Sequence, residues 1–169
     1  MSAPLTALRH FPGSFSVRPK GDLRGGGRRP VADVVRDLSR YRARYRTDGA
    51  FLGQVASSAA EFVYYRRLAA AAWGLGRGTL ALNHGTVPHP SYARIADVLV
   101  TFEGTWETYR TSPLPPWTGT GARPCHLVYG VPAGVDPAAV RERGADLHCA
   151  VPGVGDHPWG TLPHTLEPA

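Results

Sequence analysis

No apolar run in the 169-residue chain approaches 18 residues, so no membrane-spanning helix is predicted. Met1–Lys20 has no apolar segment of the kind a secretory signal needs, and the chain as written is expected in the cytosol. There are only two cysteines, Cys125 and Cys149, each inside an apolar run and without the C-x-x-C spacing of a metal site. Both are read as small core side chains, and a disulfide would require their strands to be neighbours. The seven histidines include no H-E-x-x-H arrangement, so no metal and no other cofactor is expected. Gly25-Gly26-Gly27 is not a phosphate loop, because no strand precedes it and no Gly-Lys-Ser/Thr follows.

Excess positive charge is also missing from most of the chain. The net charge is +6, yet residues 1–50 carry eleven Lys and Arg against four Asp and Glu, whereas residues 51–169 carry eight against nine. Lys20 is the one lysine. Nucleic-acid binding draws on many phosphate contacts, so the part beyond residue 50 is not expected to bind nucleic acid. A hydrophobic share of 43% places the chain among globular proteins. The length suits one domain but falls short of the roughly 250 residues of an eight-unit α/β barrel.

Met1–Arg29, rich in Gly, Pro and Arg, has no periodicity and reads as an irregular segment. From Pro30 the pattern changes. Pro30 suits a first helical turn, and Val34, Leu38, Tyr41 and Tyr45 recur as one helical stripe. Ala50–Val55 reads as a short strand, and Ser58-Ala59-Ala60-Glu61 as a capping box opening a helix that Gly74 or Gly76 ends. Strands are predicted at Thr79–Asn83, Asp97–Glu103, Cys125–Val131 and Ala145–Val151. Short helices are predicted at Pro90–Ile95 and Trp106–Arg110, and another from Asp136-Pro137 to about Arg143. Helices and strands thus alternate, and the strands are continuous apolar runs, as parallel strands covered on both sides are. The fold class is α/β with about five βα units. In such a sheet the strand ends Gln54, Asn83, Glu103 and Tyr129 converge on one edge, which makes that edge the candidate site.

At these residues the chain resembles spherulation-specific family 4, the spherulin-4-like proteins. The resemblance runs through Gly27-Arg28-Arg29-Pro30, Asp48-Gly49-Ala50-Phe51-Leu52 and Leu82-Asn83-His84-Gly85-Thr86-Val87-Pro88. It continues through Val100-Thr101-Phe102-Glu103-Gly104-Thr105, His126-Leu127-Val128-Tyr129-Gly130-Val131-Pro132 and His157-Pro158-Trp159-Gly160. It implies a partial (β/α)8 TIM-type barrel over residues 30–169 with its N-terminal strands missing, since Met1–Asp22 matches none of the family's first strands. It also implies a galactosamine-containing polysaccharide as ligand, which fungal relatives cleave between α-1,4-linked sugars. Carried over residue by residue, the family's Asp-Glu pair is replaced by Gly53 and Gln54, while its later glutamate is retained as Glu103. Asn83 matches the Asn of the family's Asn-Pro-Gly-Thr motif, with His84 in place of proline.

An amide cannot exchange a proton near neutral pH or form a glycosyl ester, so Gln54 can hydrogen-bond a sugar but cannot replace an acid. The expectation is a glycoside hydrolase-like protein that is catalytically impaired and truncated. The alternatives are an active glycosidase pairing Glu103 with another carboxylate such as Asp156, and a non-functional gene remnant. Asn83, Gln54, Tyr129, Trp106, Asp156 and Trp159 are the candidate sugar contacts. Trp117 is weighed in the same way, while His126, Asp48 and Asp97 are read as structural. A parallel sheet left open exposes unpaired edge groups, through which the chain is expected to self-associate. Sedimentation should therefore show species larger than a monomer, and a single monomer boundary would contradict the open-edge reading.

Overall fold

Among the described residues six parallel strands, each hydrogen-bonded to its neighbour in sequence, form one sheet in chain order. The computed structural model of the chain describes residues 15–17, 29–47, 49–76, 78–136, 139 and 142–163. The strands are Phe15–Val17 (β1), Ala50–Leu52 (β2), Leu80–Asn83 (β3), Val98–Thr105 (β4), Arg123–Tyr129 (β5) and Leu147–Val151 (β6). The helices are Val31–Tyr45 (α1), Phe62–Gly74 (α2) and Trp106–Thr111 (α3), with single 3₁₀ turns at Ala59–Glu61, Pro90–Arg94 and Pro158–Gly160. The five strands predicted from the sequence are all present and all parallel. Phe15–Val17 adds a sixth, although it lies in the segment expected to be irregular; it pairs with β2 from Phe15 opposite Ala50 to Val17 opposite Leu52. Three residues carry no periodicity of their own, so this strand is set by its partner rather than by local pattern. Among the described residues β1 and β6 are edges and do not pair with each other.

Several boundaries differ from expectation. Pro30 stands just before α1, at its N-cap position, and the predicted stripe is only half buried: Val34 and Leu38 are in the core, while Tyr41 and Tyr45 are exposed and stack on each other at 5.6 Å. The strand predicted over Ala50–Val55 stops at Leu52, because Gln54 takes a left-handed φ of 57° that no strand continues. β4 runs two residues past Glu103, since Gly104 and Thr105 pair with Val128 and Tyr129. Half of the predicted helix from Asp136 to Arg143, residues 137, 138, 140 and 141, falls outside the described residues. Ser58 caps the turn that opens α2, but not as the reciprocal box expected: its hydroxyl accepts from the Ala60 N–H and donates to the Glu61 carboxylate, which does not reach back to the Ser58 N–H.

The two faces of the sheet are buried in different ways. On one face Leu52, Leu80, Leu82 and Leu99 pack with Val34 and Leu38 of α1 and with Tyr65 and Leu68 of α2. Farther along, Phe102 and Val128 pack with Tyr109 of α3. On the opposite face Ala81, Val98, Val100, Cys125, Leu127 and Leu147 form a cluster whose described members all come from strands. Cys125 and Cys149 both belong there, on neighbouring strands, but the register sets Cys125 opposite Leu147 and Cys149 opposite Leu127. Both thiols are free, and burial pushes them up to about 12 and about 11, so they behave as small apolar groups.

His126 and Tyr109 link α3 to β5 on the helix-covered face, with the Tyr109 oxygen 2.9 Å from His126 Nδ1. Arg143 lies over the Tyr109 ring at 5.0 Å. Burial lowers the imidazole from its ordinary 6.5 to about 4, and the Arg143 and His148 charges push the same way. The fold therefore holds His126 neutral. The resulting stability is complete above pH 6.5 and is lost as pH falls toward 4, where the unfolded chain takes up the proton first. The urea midpoint should hold steady above pH 7 and fall between pH 6.5 and pH 4. His126→Gln should remove part of that slope, and an acid-independent midpoint in the unaltered chain would contradict the assignment.

Candidate functional site

A parallel sheet delivers all its strand ends to one edge, and Asn83 and Glu103 meet there. Asn83 closes β3 and is 9% exposed; its Nδ2 donates to Glu103 Oε2 at 2.5 Å. Glu103 is half-buried and pairs in register with Leu127 of β5. It therefore lies on the face of Leu127 and not on the helix-covered face. The amide thus orients the one carboxylate at the described ends of β2 to β5. Asn83 Oδ1 is buried and makes no hydrogen bond, so the amide is fixed through its donor side alone.

Gly53 and Gln54 follow β2 immediately, on the strand next to Asn83. Gly53 is buried and Gln54 exposed. The turn that carries them is tied to its surroundings at four points. The Val55 N–H donates to the Asn83 carbonyl at 2.8 Å, and the Ala56 N–H donates to the Tyr65 hydroxyl at 3.0 Å. His84 Nδ1 donates to the Ala56 carbonyl at 3.0 Å, and the Tyr92 hydroxyl donates to the Ser58 carbonyl at 3.1 Å. These bonds hold Gln54 in a backbone region that favours glycine, at a cost of about 1–2 kcal/mol.

His84, read from the sequence only as a replacement for proline, has a structural task. Burial lowers its imidazole to about 4, against the opposing pull of the Ala56 and Val55 carbonyls. It remains neutral, with its edge on Tyr92 at 4.7 Å between ring centroids, and joins the loop after β3 to the loop after β2. No sequence signal marks this role, because it depends on where the Ala56 carbonyl falls.

The remaining candidates separate. Tyr129 ends β5 and meets Trp159 edge-on at 5.7 Å, with Trp159 39% exposed. Asp156 is exposed in the turn after β6, on the same edge. Trp106 does not join them: it opens α3 and packs toward Tyr109 on the helix-covered side, with ring centroids 6.1 Å apart. Trp117 packs against the core and donates to the Ala122 carbonyl at 3.3 Å. Asp97 lies at the opposite end of the sheet and accepts from the Leu80 N–H at 2.8 Å; Asp48 lies outside the described residues. No group of three or more His, Cys, Asp or Glu side chains in metal-binding geometry occurs among the described residues, and none of the described helices is long and apolar enough to cross a membrane.

The strained turn gives a direct test. Gln54→Gly should leave stability unchanged or raise it by up to about 1 kcal/mol in urea unfolding, because glycine adopts the left-handed region freely. A loss of more than about 1 kcal/mol would show that the Gln54 side chain supports the fold, against its exposed position.

The profile of spherulation-specific family 4 matches residues 20–152. No curated protein matches the chain. Among solved structures, the crystal structure of Aspergillus clavatus Sph3 in complex with GalNAc superposes with a TM-score of 0.62 at 17% identity, covering 89% of this chain and 81% of that one. At that identity the likeness concerns the fold. With the family profile spanning most of the sequence, and with the strands it covers ordered as a sequentially wound parallel sheet, the chain belongs to spherulation-specific family 4.

Proposed function

We propose that this chain is a glycoside hydrolase-like protein that binds a galactosamine-containing polysaccharide at the edge formed by Asn83, Glu103, Gln54, Tyr129 and Trp159, and that it cleaves its ligand slowly or not at all. The observation that carries this reading is the Asn83–Glu103 pair beside an exposed amide. A glycosidase of the usual kind needs two carboxyl groups, about 5–5.5 Å apart for retention or 6.5–9.5 Å for inversion. The edge offers Glu103 as an oriented acceptor, and at the end of β2, on the other side of β3, it offers Gly53 and Gln54. Gln54 can donate to and accept from sugar hydroxyls but cannot act as acid, base or nucleophile.

Tyr129 and Trp159 supply aromatic surface suited to the apolar face of a sugar, and Asn83 supplies the rigid polar contact that fixes orientation. The GalNAc bound by the fungal structure supports an amino sugar as the ligand class. The strand order, in which each strand neighbours the next in sequence, is the order a (β/α)8 barrel requires. The cluster built from strand side chains alone is consistent with the inner face of a barrel arc. Both observations support the partial barrel.

The test compares the unaltered chain with Gly53→Asp/Gln54→Glu for reducing-end release from an α-1,4-galactosamine polymer, with binding followed in parallel. The expected result is binding by both and turnover that rises at least about 100-fold in the double variant, the scale of a positioned acid or base. Turnover by the unaltered chain that Glu103→Gln abolishes would overturn the impaired reading in favour of an active pair such as Glu103 with Asp156. Neither binding nor turnover would overturn the glycan reading itself.

A further inference from the structure

We propose that the bulge at Val100–Thr101 presents Glu103 to the site edge, with Thr101 as a positioning residue that acts by its presence in the chain rather than by its hydroxyl. The inference rests on the reading of Glu103 as a site carboxylate. Side chains alternate strictly along a strand, so one inserted residue moves everything after it to the other face. In the first part of β4 the alternation is regular: Leu99 packs on the helix-covered face, and Val98 and Val100 pack in the opposite cluster.

Continued without a break, that alternation would send Glu103 to the side of Leu99. It would also set Glu103 opposite Val128, which is fully buried in the cluster that contains Tyr109. A carboxylate there would be desolvated among Tyr109, Val128 and Val131, a large penalty. The observed register avoids this. Val100 pairs with Cys125, Phe102 pairs with His126, and Thr101 is left over between them. The alternation restarts one residue late. Phe102 consequently turns to the helix-covered side, with its ring 4.9 Å from that of Tyr109. Glu103 pairs with Leu127 and comes within 2.5 Å of Asn83.

The hydroxyl of Thr101 contributes nothing visible to this. Thr101 is 3% exposed, and its Oγ1 makes no hydrogen bond. What residue 101 supplies is one extra backbone unit. Gly104 accommodates the change: a Cβ at that position would lie 2.8 Å from the tip of the Phe102 ring, so glycine lets the ring fold over the strand.

Thiol labelling tests the geometry without any glycan, so a failure to bind sugar and a failure of this inference remain distinguishable. In a Cys125→Ala/Cys149→Ala background, Glu103→Cys should react with a maleimide at least about tenfold faster than Phe102→Cys, because one site is open and the other packed. Deleting Thr101 should slow labelling of the Glu103→Cys variant by at least about tenfold while far-UV circular dichroism persists, whereas Thr101→Val should leave the rate unchanged. Equal rates at positions 102 and 103, or an unchanged rate in a folded deletion variant, would overturn the proposal. Should the deletion variant fail to fold, the comparison of positions 102 and 103 in the full-length strand decides alone.

Discussion

The parallel backbone ladder is the constraint on which the rest depends. Because all six strands run the same way, every connection must return along the sheet, and every strand end on one edge belongs to a different unit of the chain. Asn83, Glu103, Tyr129 and the turn after β2 come to one edge for this reason, although Gln54 and Tyr129 lie 75 positions apart in sequence. The same ladder requires cover for both faces. Helices cover one, and strand side chains alone make up the described part of the other cluster. A polar group at the strand ends can be oriented against that rigid frame at little entropic cost, as the Asn83 amide is against Glu103.

Much of this is legible in the residues. The runs Leu80–Asn83 and Val98–Glu103 are too short and too apolar for amphipathic surface helices, and their polar last residues point to a working edge. Ser58 and Glu61 announce a helix start because the capping contacts are local. What the sequence hides depends on tertiary partners. Phe15–Val17 is a strand only because β2 lies beside it. Tyr41 and Tyr45 continue a perfect helical stripe, yet the packed surface ends before them. Trp106 follows a site strand directly but turns with the helix it starts. The bulge at Thr101 is marked by a single polar residue within an apolar run, a sign visible only once the faces of Leu99 and Phe102 are known.

Chemistry at the edge follows from proton bookkeeping. Glu103 can accept hydrogen bonds and exchange a proton, and Asn83 fixes where it does so. Gln54 contributes donors and acceptors but no proton exchange. The left-handed turn that holds it is costly enough to be built only with support, and that support comes from Asn83, Tyr65, His84 and Tyr92. The proposed role, recognition of a glycan more than its cleavage, rests on this frame being maintained around an amide rather than an acid.

Asn83 and Gln54 are the sole asparagine and glutamine in the chain, so its side-chain amide region by ¹H–¹⁵N NMR should contain only two NH₂ pairs, both at the proposed site. Titration with an α-1,4-galactosamine oligosaccharide gives the most direct measurement of whether glycan binds there. Saturable shifts of both pairs, lost in Glu103→Gln for the Asn83 pair, are predicted. Oligosaccharide binding that moves backbone resonances elsewhere while both NH₂ pairs stay fixed would contradict the account.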